Sequence, residues 1–205
     1  MSNCLVTTLG RRRSGRPVRS AIAALIAVVG AATHPASARA QDGKTMTPEG
    51  AAIVKAQYLD DLDTLHAKIV ALAKAIPEDK YSWRPSAGVR SVSEVLMHIA
   101  SEWYYYVPRS VAANPPADFG APKEKLPALE KITKKSDVLS ELDKSWTWGR
   151  AQLAGADASK LTGRYKPWDM YLPGAALSMA GDLHEHLGQL IAYARSNGVT
   201  PPWSK

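Results

Sequence analysis

One stretch of the chain decides the fold: Pro173 to Gly198, which reads PGAALSMAGDLHEHLGQLIAYARSNG. Proline near the first position and glycine just past the last are typical of the two ends of a complete α-helix. Apolar residues recur between them at gaps of three and four, at Ala176, Ala180, Leu183, Leu187, Leu190 and Ala194. This period predicts one buried stripe. Side chains able to bind ligands border the stripe, at Asp182, His186, Gln189 and Tyr193.

Three more helices are predicted upstream. The first begins at Thr47-Pro48 and ends before Pro77, and the second begins at a capping box, Ser91 with Glu94, and runs to about Asn114. The third carries a stripe from Leu139 to Leu153, with Ser136 or Thr133 as its cap. Residues 115–133 are predicted to be a long irregular crossover. No strand-like alternation competes with this pattern, so we expect an all-α fold, a single four-helix bundle.

The first 40 residues have the layout of a signal peptide. A basic stretch precedes an apolar run from Ala21 to Gly30, and small residues end at Ala38-Arg39-Ala40. We therefore predict cleavage after Ala40, a domain at 41–205, and export to the periplasm or the extracellular space. The apolar run is shorter than the roughly 20 residues that span a bilayer, so stable membrane insertion after cleavage is not expected and an uncleaved anchor is the weaker alternative. Arg11-Arg12-Arg13 leaves Sec and twin-arginine export both open.

Charge and cysteine content exclude several classes of protein. Six arginines and no acidic residue lie in the first 40 positions, so 26 basic residues less 6 leaves 20 against 19 acidic ones, a formal charge of +1. Such a balance lacks the electrostatic attraction that dominates nucleic-acid binding, and no nucleic-acid partner is expected. The single cysteine, Cys4, lies in the leader. The predicted domain therefore has neither a disulfide nor a thiol nucleophile.

Two helices carry side chains suited to a metal site. Asp182 and His186 stand one turn apart on the last helix, and His98 and Glu102 stand one turn apart on the second. We predict that His98, Asp182 and His186 bind a divalent metal, with Glu102 as a further ligand or as the catalytic general base. Zinc, nickel, iron and manganese are not distinguished by this set. Periodicity alone is equally consistent with buried structural histidines.

The residues that carry this site resemble a known family. The segment from Pro85 to Ala100, with Leu96-Met-His98-Ile-Ala, and the later His186-Leu-Gly-Gln189 are similar to the DinB-like superfamily of metal-dependent proteins. The resemblance runs from about Met46 to Trp203. It implies an up-down-down-up four-helix bundle with a metal held by three histidines, two of them four residues apart on the last helix. His98 and His186 match that pattern, whereas Asp182 stands where the third histidine is expected, which favours harder ions.

The expected function follows from an open metal site. Three protein ligands with a free position are typical of catalytic centres. We expect a metal-dependent hydrolase or a thiol-dependent transferase that acts on a small molecule, the transferase being implied by relatives that join thiols to electrophiles. The alternative is a non-catalytic helical bundle that binds a metal or another ligand. A homodimer is compatible with either.

Overall fold

The computed structural model describes residues 46–162, 164–165 and 170–204, with side chains at 46–160 and 176–204. The predicted signal peptide at 1–40 lies outside the described residues. The described residues form five α-helices: α1 Pro48–Ala75, α2 Val92–Val111, α3 Pro122–Leu129, α4 Lys135–Gly155 and α5 Leu172–Ser196. Two 3-10 turns, Glu78–Lys80 and Ala158–Thr162, lie between them. Strands β1 (Arg164–Tyr165) and β2 (Met170–Tyr171) pair antiparallel.

The fold is helical, as predicted, with two features that the sequence pattern did not predict. The crossover expected to be irregular contains α3, which begins at Pro122 and ends at Leu129. The short β1–β2 pair lies before α5. Among the described residues, no helix has both the length and the apolar character needed to cross a bilayer.

Local capping chemistry sets three of the helix ends among the described residues. Thr47 accepts a hydrogen bond from the Gly50 N–H at the start of α1, and Ser91 and Glu94 form the predicted capping box at the start of α2. Gly198 follows α5 with φ of 73°, a left-handed conformation that favours glycine. The predicted cap of α4 is wrong, because α4 follows Lys134, whose side chain makes no capping hydrogen bond.

Contacts between the long helices show which pairs are parallel and which are antiparallel. Lys55 near the start of α1 donates to Ala154 O and Ala156 O at the end of α4, and Lys135 at the start of α4 donates to Lys74 O and Ile76 O at the end of α1. These contacts make α1 and α4 antiparallel. Tyr58 meets Met179 and Asp61 meets His184, so α1 and α5 run parallel. Tyr106 meets Asp182 while His98 meets His186 farther along α5, so α2 runs antiparallel to α5.

The predicted apolar stripes form the core. On α1, the apolar residues that recur at gaps of three and four are all buried, namely Tyr58, Leu62, Leu65, Ile69, Leu72 and Ile76. On α2, Trp103 packs over Gly149 of α4, where an added Cβ would lie 2.5 Å from Trp103 Cε3. Gly149 therefore permits the close approach of these helices.

Candidate metal centre

Two histidines and a glutamate converge between α2 and α5. His98 and Glu102 stand one turn apart on α2, and His186 reaches the same point from α5. His186 Nε2 lies 3.2 Å from Glu102 Oε1, and His98 Nε2 lies 3.6 Å from the same oxygen. The imidazole rings meet edge to face with centroids 4.9 Å apart. One ligand atom from each residue lies within 4.8 Å of the other two, so the group could hold a metal ion.

The Glu102 carboxylate is the most buried part of this group. Its side chain is 6% exposed, and Oε2 is buried without a hydrogen-bond partner among the described residues. Burial raises the pKa of Glu102, against the hydrogen bond and charge of His186. Burial would lower the pKa of His186, but its hydrogen bond to Glu102 and the Glu102 charge raise that pKa overall. A buried carboxyl group of this kind either takes up a proton itself or needs a positive charge beside it, such as a proton on His186 or a metal ion.

His98 is held from outside the group by Glu130, the residue that follows α3. His98 Nδ1 lies 3.1 Å from Glu130 Oε1, and the same oxygen accepts a hydrogen bond from Arg90 Nε at 3.1 Å. Burial lowers the pKa of His98, as do the nearby charges of Arg90 and His186, despite the opposing effect of Glu130. A neutral His98 ring donates Nδ1–H to Glu130, because a carboxylate accepts. Its Nε2 lone pair then faces Glu102.

His186 is held by residues of its own helix. Its Nδ1 lies 3.3 Å from Gln189 Oε1, and Gln189 Nε2 donates to the Tyr193 hydroxyl at 2.9 Å. Tyr193 in turn donates to the Arg90 carbonyl oxygen at 3.1 Å. The polar stripe predicted on the last helix thus supplies both a member of the converging group and the side chains that orient it.

Asp182, predicted as a metal ligand, is not part of the converging group. Its Oδ2 accepts a short hydrogen bond from the Tyr106 hydroxyl. Burial raises the pKa of Tyr106, and the hydrogen bond to Asp182 raises it further. Glu102, and not Asp182, is the carboxylate that lies beside the two histidines. The ligand role of Asp182 therefore stays a prediction.

A cavity of about 390 Å³ opens beside the group. His98, Glu102 and Asp182 line it, so all the side chains of the site except His186 border one space. Its other walls come from α2, from α3 and from the loop before α2, at Arg90, Ser101, Tyr105, Tyr106, Leu126, Pro127 and Glu130. Such a volume suits a small molecule. The helix α3 therefore has a function in the site, because it walls the cavity and places Glu130.

The remaining histidines of the described chain lie elsewhere. His184 stands two residues before His186, about 200° around the helix, and it is exposed with a 3.2 Å contact to Asp61. His66 is half-buried and stacks on Trp146, with ring centroids 4.2 Å apart. His66 therefore has a packing role.

Glu130 and Arg90 are the site residues that sequence reasoning missed. Both lie outside the four predicted helices, and the contact between His98 and Glu130 spans 32 residues. The one local signal was Pro122 followed by a charged run through Glu130, since proline is common in the first turn of a helix. That run is too short for a helical period to be recognised in it.

Comparison with known proteins agrees with the geometry. A search of curated proteins gives no match. The family model of the DinB superfamily matches residues 61–190, a range that contains His98, Glu102, Asp182 and His186. Because this match covers more than half of the chain, the protein belongs to the DinB superfamily.

Proposed function

We propose that this protein binds a divalent metal ion through His98, Glu102 and His186 and hydrolyses a small molecule in the adjoining cavity. The observation that carries the proposal is the buried Glu102 carboxylate: two imidazole Nε2 atoms face one of its oxygens, and the other has no hydrogen-bond partner in the described part of the chain. An unpartnered buried polar atom costs about 1–3 kcal/mol. A bound cation would offset that cost.

The donor set supports this proposal. Each Nδ1 atom is engaged, by Glu130 or by Gln189, so both Nε2 atoms are available as ligands. Two imidazoles and a carboxylate suit zinc, iron, manganese and nickel. When bound, such an ion supplies Lewis acidity that lowers the pKa of water toward about 7.

We assign metal binding and proton transfer to different residues of the site. Glu102 is buried within the group, so we assign it to the metal. Asp182 lines the cavity outside the group, which places a carboxylate where it can take up a proton from a nucleophile. Tyr106 orients that carboxylate through its hydroxyl. Leu126 and Pro127 of α3 add apolar surface to the lining of the same cavity. This division exchanges the roles that the sequence suggested for Glu102 and Asp182.

Fold topology and export are part of the same proposal. The running directions of the four long helices support the up-down-down-up bundle expected of the family, with α3 inserted in its crossover. Export with cleavage after Ala40 is proposed from the sequence of residues 1–40 alone. An exported location disfavours a thiol-dependent reaction, because reduced thiols are scarce outside the cytoplasm.

The test compares metal content and affinity in the parent, His186→Ala, Glu102→Gln and Asp182→Asn. Protein purified without chelators or metal resins is analysed for bound elements, and each element found is titrated back by calorimetry. We expect stoichiometric metal in the parent and at least about 10-fold weaker binding in His186→Ala and Glu102→Gln. Asp182→Asn should keep its metal. Equal metal content in all four proteins refutes the site.

The same variants test catalysis. The loaded parent is screened against a panel of esters and amides, and against thiol-conjugation substrates. We expect hydrolysis by the parent and its loss in Asp182→Asn despite bound metal. If Asp182→Asn loses its metal while Glu102→Gln keeps it, then Asp182 is the metal ligand and Glu102 the general base, as the sequence suggested. Retained metal with no turnover on any panel favours the non-catalytic binding protein instead.

A further inference from the structure

The lining of the cavity beside the metal group has a charged part and an apolar part. The apolar part consists of the rings of Tyr105 and Tyr106 on α2 and of Leu126 and Pro127 on α3, and we call it the apolar lining. Leu126 is half-buried and Pro127 is exposed, so both keep apolar surface that the described part of the chain does not cover. A ligand that covers this surface gains the free energy of removing it from water.

Contacts with residues that do not line the cavity hold the apolar lining in place. The Arg109 guanidinium carbon lies 3.7 Å from the centroid of the Tyr105 ring, and Arg109 Nη1 donates to Tyr105 O at 2.6 Å. On α3, the neighbouring Leu129 is buried in the core, and Glu130 is fixed by its salt bridge to Arg90. The surface is therefore formed before a ligand arrives, which lowers the entropy cost of binding.

Two hydroxyl groups of the lining donate their hydrogen bonds within the protein. The Ser101 hydroxyl donates to the His98 carbonyl oxygen at 2.6 Å. The Tyr106 hydroxyl donates to the Asp182 carboxylate. Because both protons are directed at the protein, these hydroxyls do not donate to a ligand in this arrangement. The apolar surface of the lining is then the part best suited to contact the body of a ligand.

The charges of the lining disfavour an anionic ligand. Glu130 and Asp182 supply two carboxylates, Glu102 adds a third carboxyl group, and Arg90 supplies the one guanidinium among the described residues of the lining. Arg90 Nε donates to Glu130 Oε1 at 3.1 Å, so the positive charge of Arg90 is already offset. Even with Glu102 left out of the count, an anion in the cavity would meet more negative charge than positive charge.

We propose that the substrate carries an apolar group, such as an aromatic ring or a branched alkyl chain, that packs against Tyr105, Leu126 and Pro127, and that the cavity excludes anionic substrates. That the ligand is a substrate rests on the proposed function, and the inference narrows it to an apolar, non-anionic ester or amide. Recognition of the apolar group is a property of the cavity and needs no metal. It is therefore tested on the metal-free protein.

The first experiment measures the binding of two matched probes to the metal-free protein by NMR titration. Phenyl methyl sulfone and benzenesulfonate share a phenyl ring and have nearly the same shape, but only the second is an anion. We expect the sulfone to bind and benzenesulfonate to bind at least about 10-fold more weakly. Benzenesulfonate binding as tight as the sulfone or tighter overturns the exclusion of anions. A sulfone that does not bind overturns the apolar site.

A pair of leucine variants tests where the sulfone binds. Leu126→Ala removes part of the apolar lining and should weaken sulfone binding at least about 4-fold, which is the value of burying one methylene group. Leu139→Ala is the matched control, because Leu139 is also a half-buried leucine of a helix that packs against the core, but it does not line the cavity. The control should keep the parent affinity. Equal affinity in the two variants overturns the apolar site.

Glu130→Gln tests the charge argument through a gain of binding. This variant removes the carboxylate that offsets Arg90 and leaves the apolar lining intact. Benzenesulfonate should bind about 2- to 5-fold more tightly than it binds to the parent, whereas the affinity for the sulfone should not change. Unchanged benzenesulfonate affinity overturns the role of this ion pair in excluding anions.

Failure of the inference and failure of the proposed function give different results. A parent that binds no metal and hydrolyses no ester or amide refutes the proposed function, and the probe titrations then still decide what the cavity recognises. A parent that binds metal and hydrolyses esters, but whose metal-free form does not bind the sulfone, overturns the inference and leaves the proposed function standing.

Discussion

Gly149 is the position where a single methyl group should disturb the packing between α2 and α4. In Gly149→Ala the new Cβ would lie 2.5 Å from Trp103 Cε3 and 3.3 Å from Trp103 Cδ2. Ordinary carbon contacts start near 3.5 Å, so the ring or the helix must shift by about 1 Å. Trp103 is 2% exposed and meets Trp146 edge to face, which leaves the ring little room to move. Overpacking of a tight core costs about 1–3 kcal/mol.

The helix propensity of alanine acts against this cost. Alanine is favoured over glycine inside a helix by about 1 kcal/mol, so we expect a net loss of up to about 2 kcal/mol in the free energy of unfolding. For a domain of this size that loss lowers the Tm by up to about 8 °C. Urea unfolding followed by tryptophan fluorescence measures it, with Gly181→Ala as the matched control. Gly181 is also inside a helix, but a Cβ there meets no described atom within 4 Å, so that variant should be as stable as the parent or more stable. A Gly149→Ala protein as stable as Gly181→Ala would refute the packing argument.

Two further predictions concern stability. Burial lowers the pKa of His66 to about 4, so the unfolded chain binds more protons than the folded protein between about pH 6.5 and pH 4. The stability that neutral His66 contributes is therefore complete above about pH 6.5 and is lost as the pH falls through 4. After discounting for the partial exposure of the ring, we expect this loss to be about 1–2 kcal/mol. Unfolding at pH 7 and pH 4 should therefore show a smaller pH dependence in His66→Phe than in the parent, and equal dependence would contradict this. Lys55→Met and Lys135→Met each remove an ammonium that donates to two carbonyls at the C-terminal end of a helix, and each should cost about 0.5–1 kcal/mol, less at high salt. Because the two lysines lie at opposite ends of α1, the losses should add in the double variant, and clear non-additivity in urea unfolding would argue against independent caps.

The sequence predicted the long helices well because the buried face of a helix appears in the sequence as apolar residues that recur every three or four positions. The stripe from Tyr58 to Ile76 is buried throughout, and the capping box at Ser91 marks the observed start of α2. The short α3 was missed because eight residues with prolines at 122 and 127 carry too little period to separate a helix from a loop.

The site was only partly predictable, since its composition depends on how two helices are rotated against each other. Both His98 with Glu102 and Asp182 with His186 have the spacing of one turn, and spacing alone could not choose between the two carboxylates. The rotation of α2 toward α5 brings Glu102 to the histidines, whereas Asp182 meets Tyr106. Glu130 and Arg90 come from connecting segments, so no periodicity pointed to them.

Glu102 should be a residue whose presence stabilises the protein only when metal is bound. Without metal, its Oε2 is buried and has no partner within the described ranges, and removing such an atom relieves about 1–3 kcal/mol. Replacing a buried charge with a well-packed apolar side chain is often neutral or stabilising, and His186 can remain neutral beside leucine. We therefore expect metal-free Glu102→Leu to be as stable as the metal-free parent or up to about 2 kcal/mol more stable.

The order of stability should reverse when metal is added. At a free metal concentration of 100 times the Kd, the parent gains about 2.7 kcal/mol, whereas Glu102→Leu has lost a ligand and gains far less. Glu141→Leu is the control: Glu141 is half-buried, and it accepts a hydrogen bond from Tyr104 at 3.0 Å, so this variant should lose stability with or without metal and keep the full metal-dependent gain. Urea unfolding with and without the ion measures all three proteins. A metal-free Glu102→Leu protein less stable than the parent by more than about 2 kcal/mol would mean that Glu102 supports the fold itself, and that a proton on His186 already satisfies its charge.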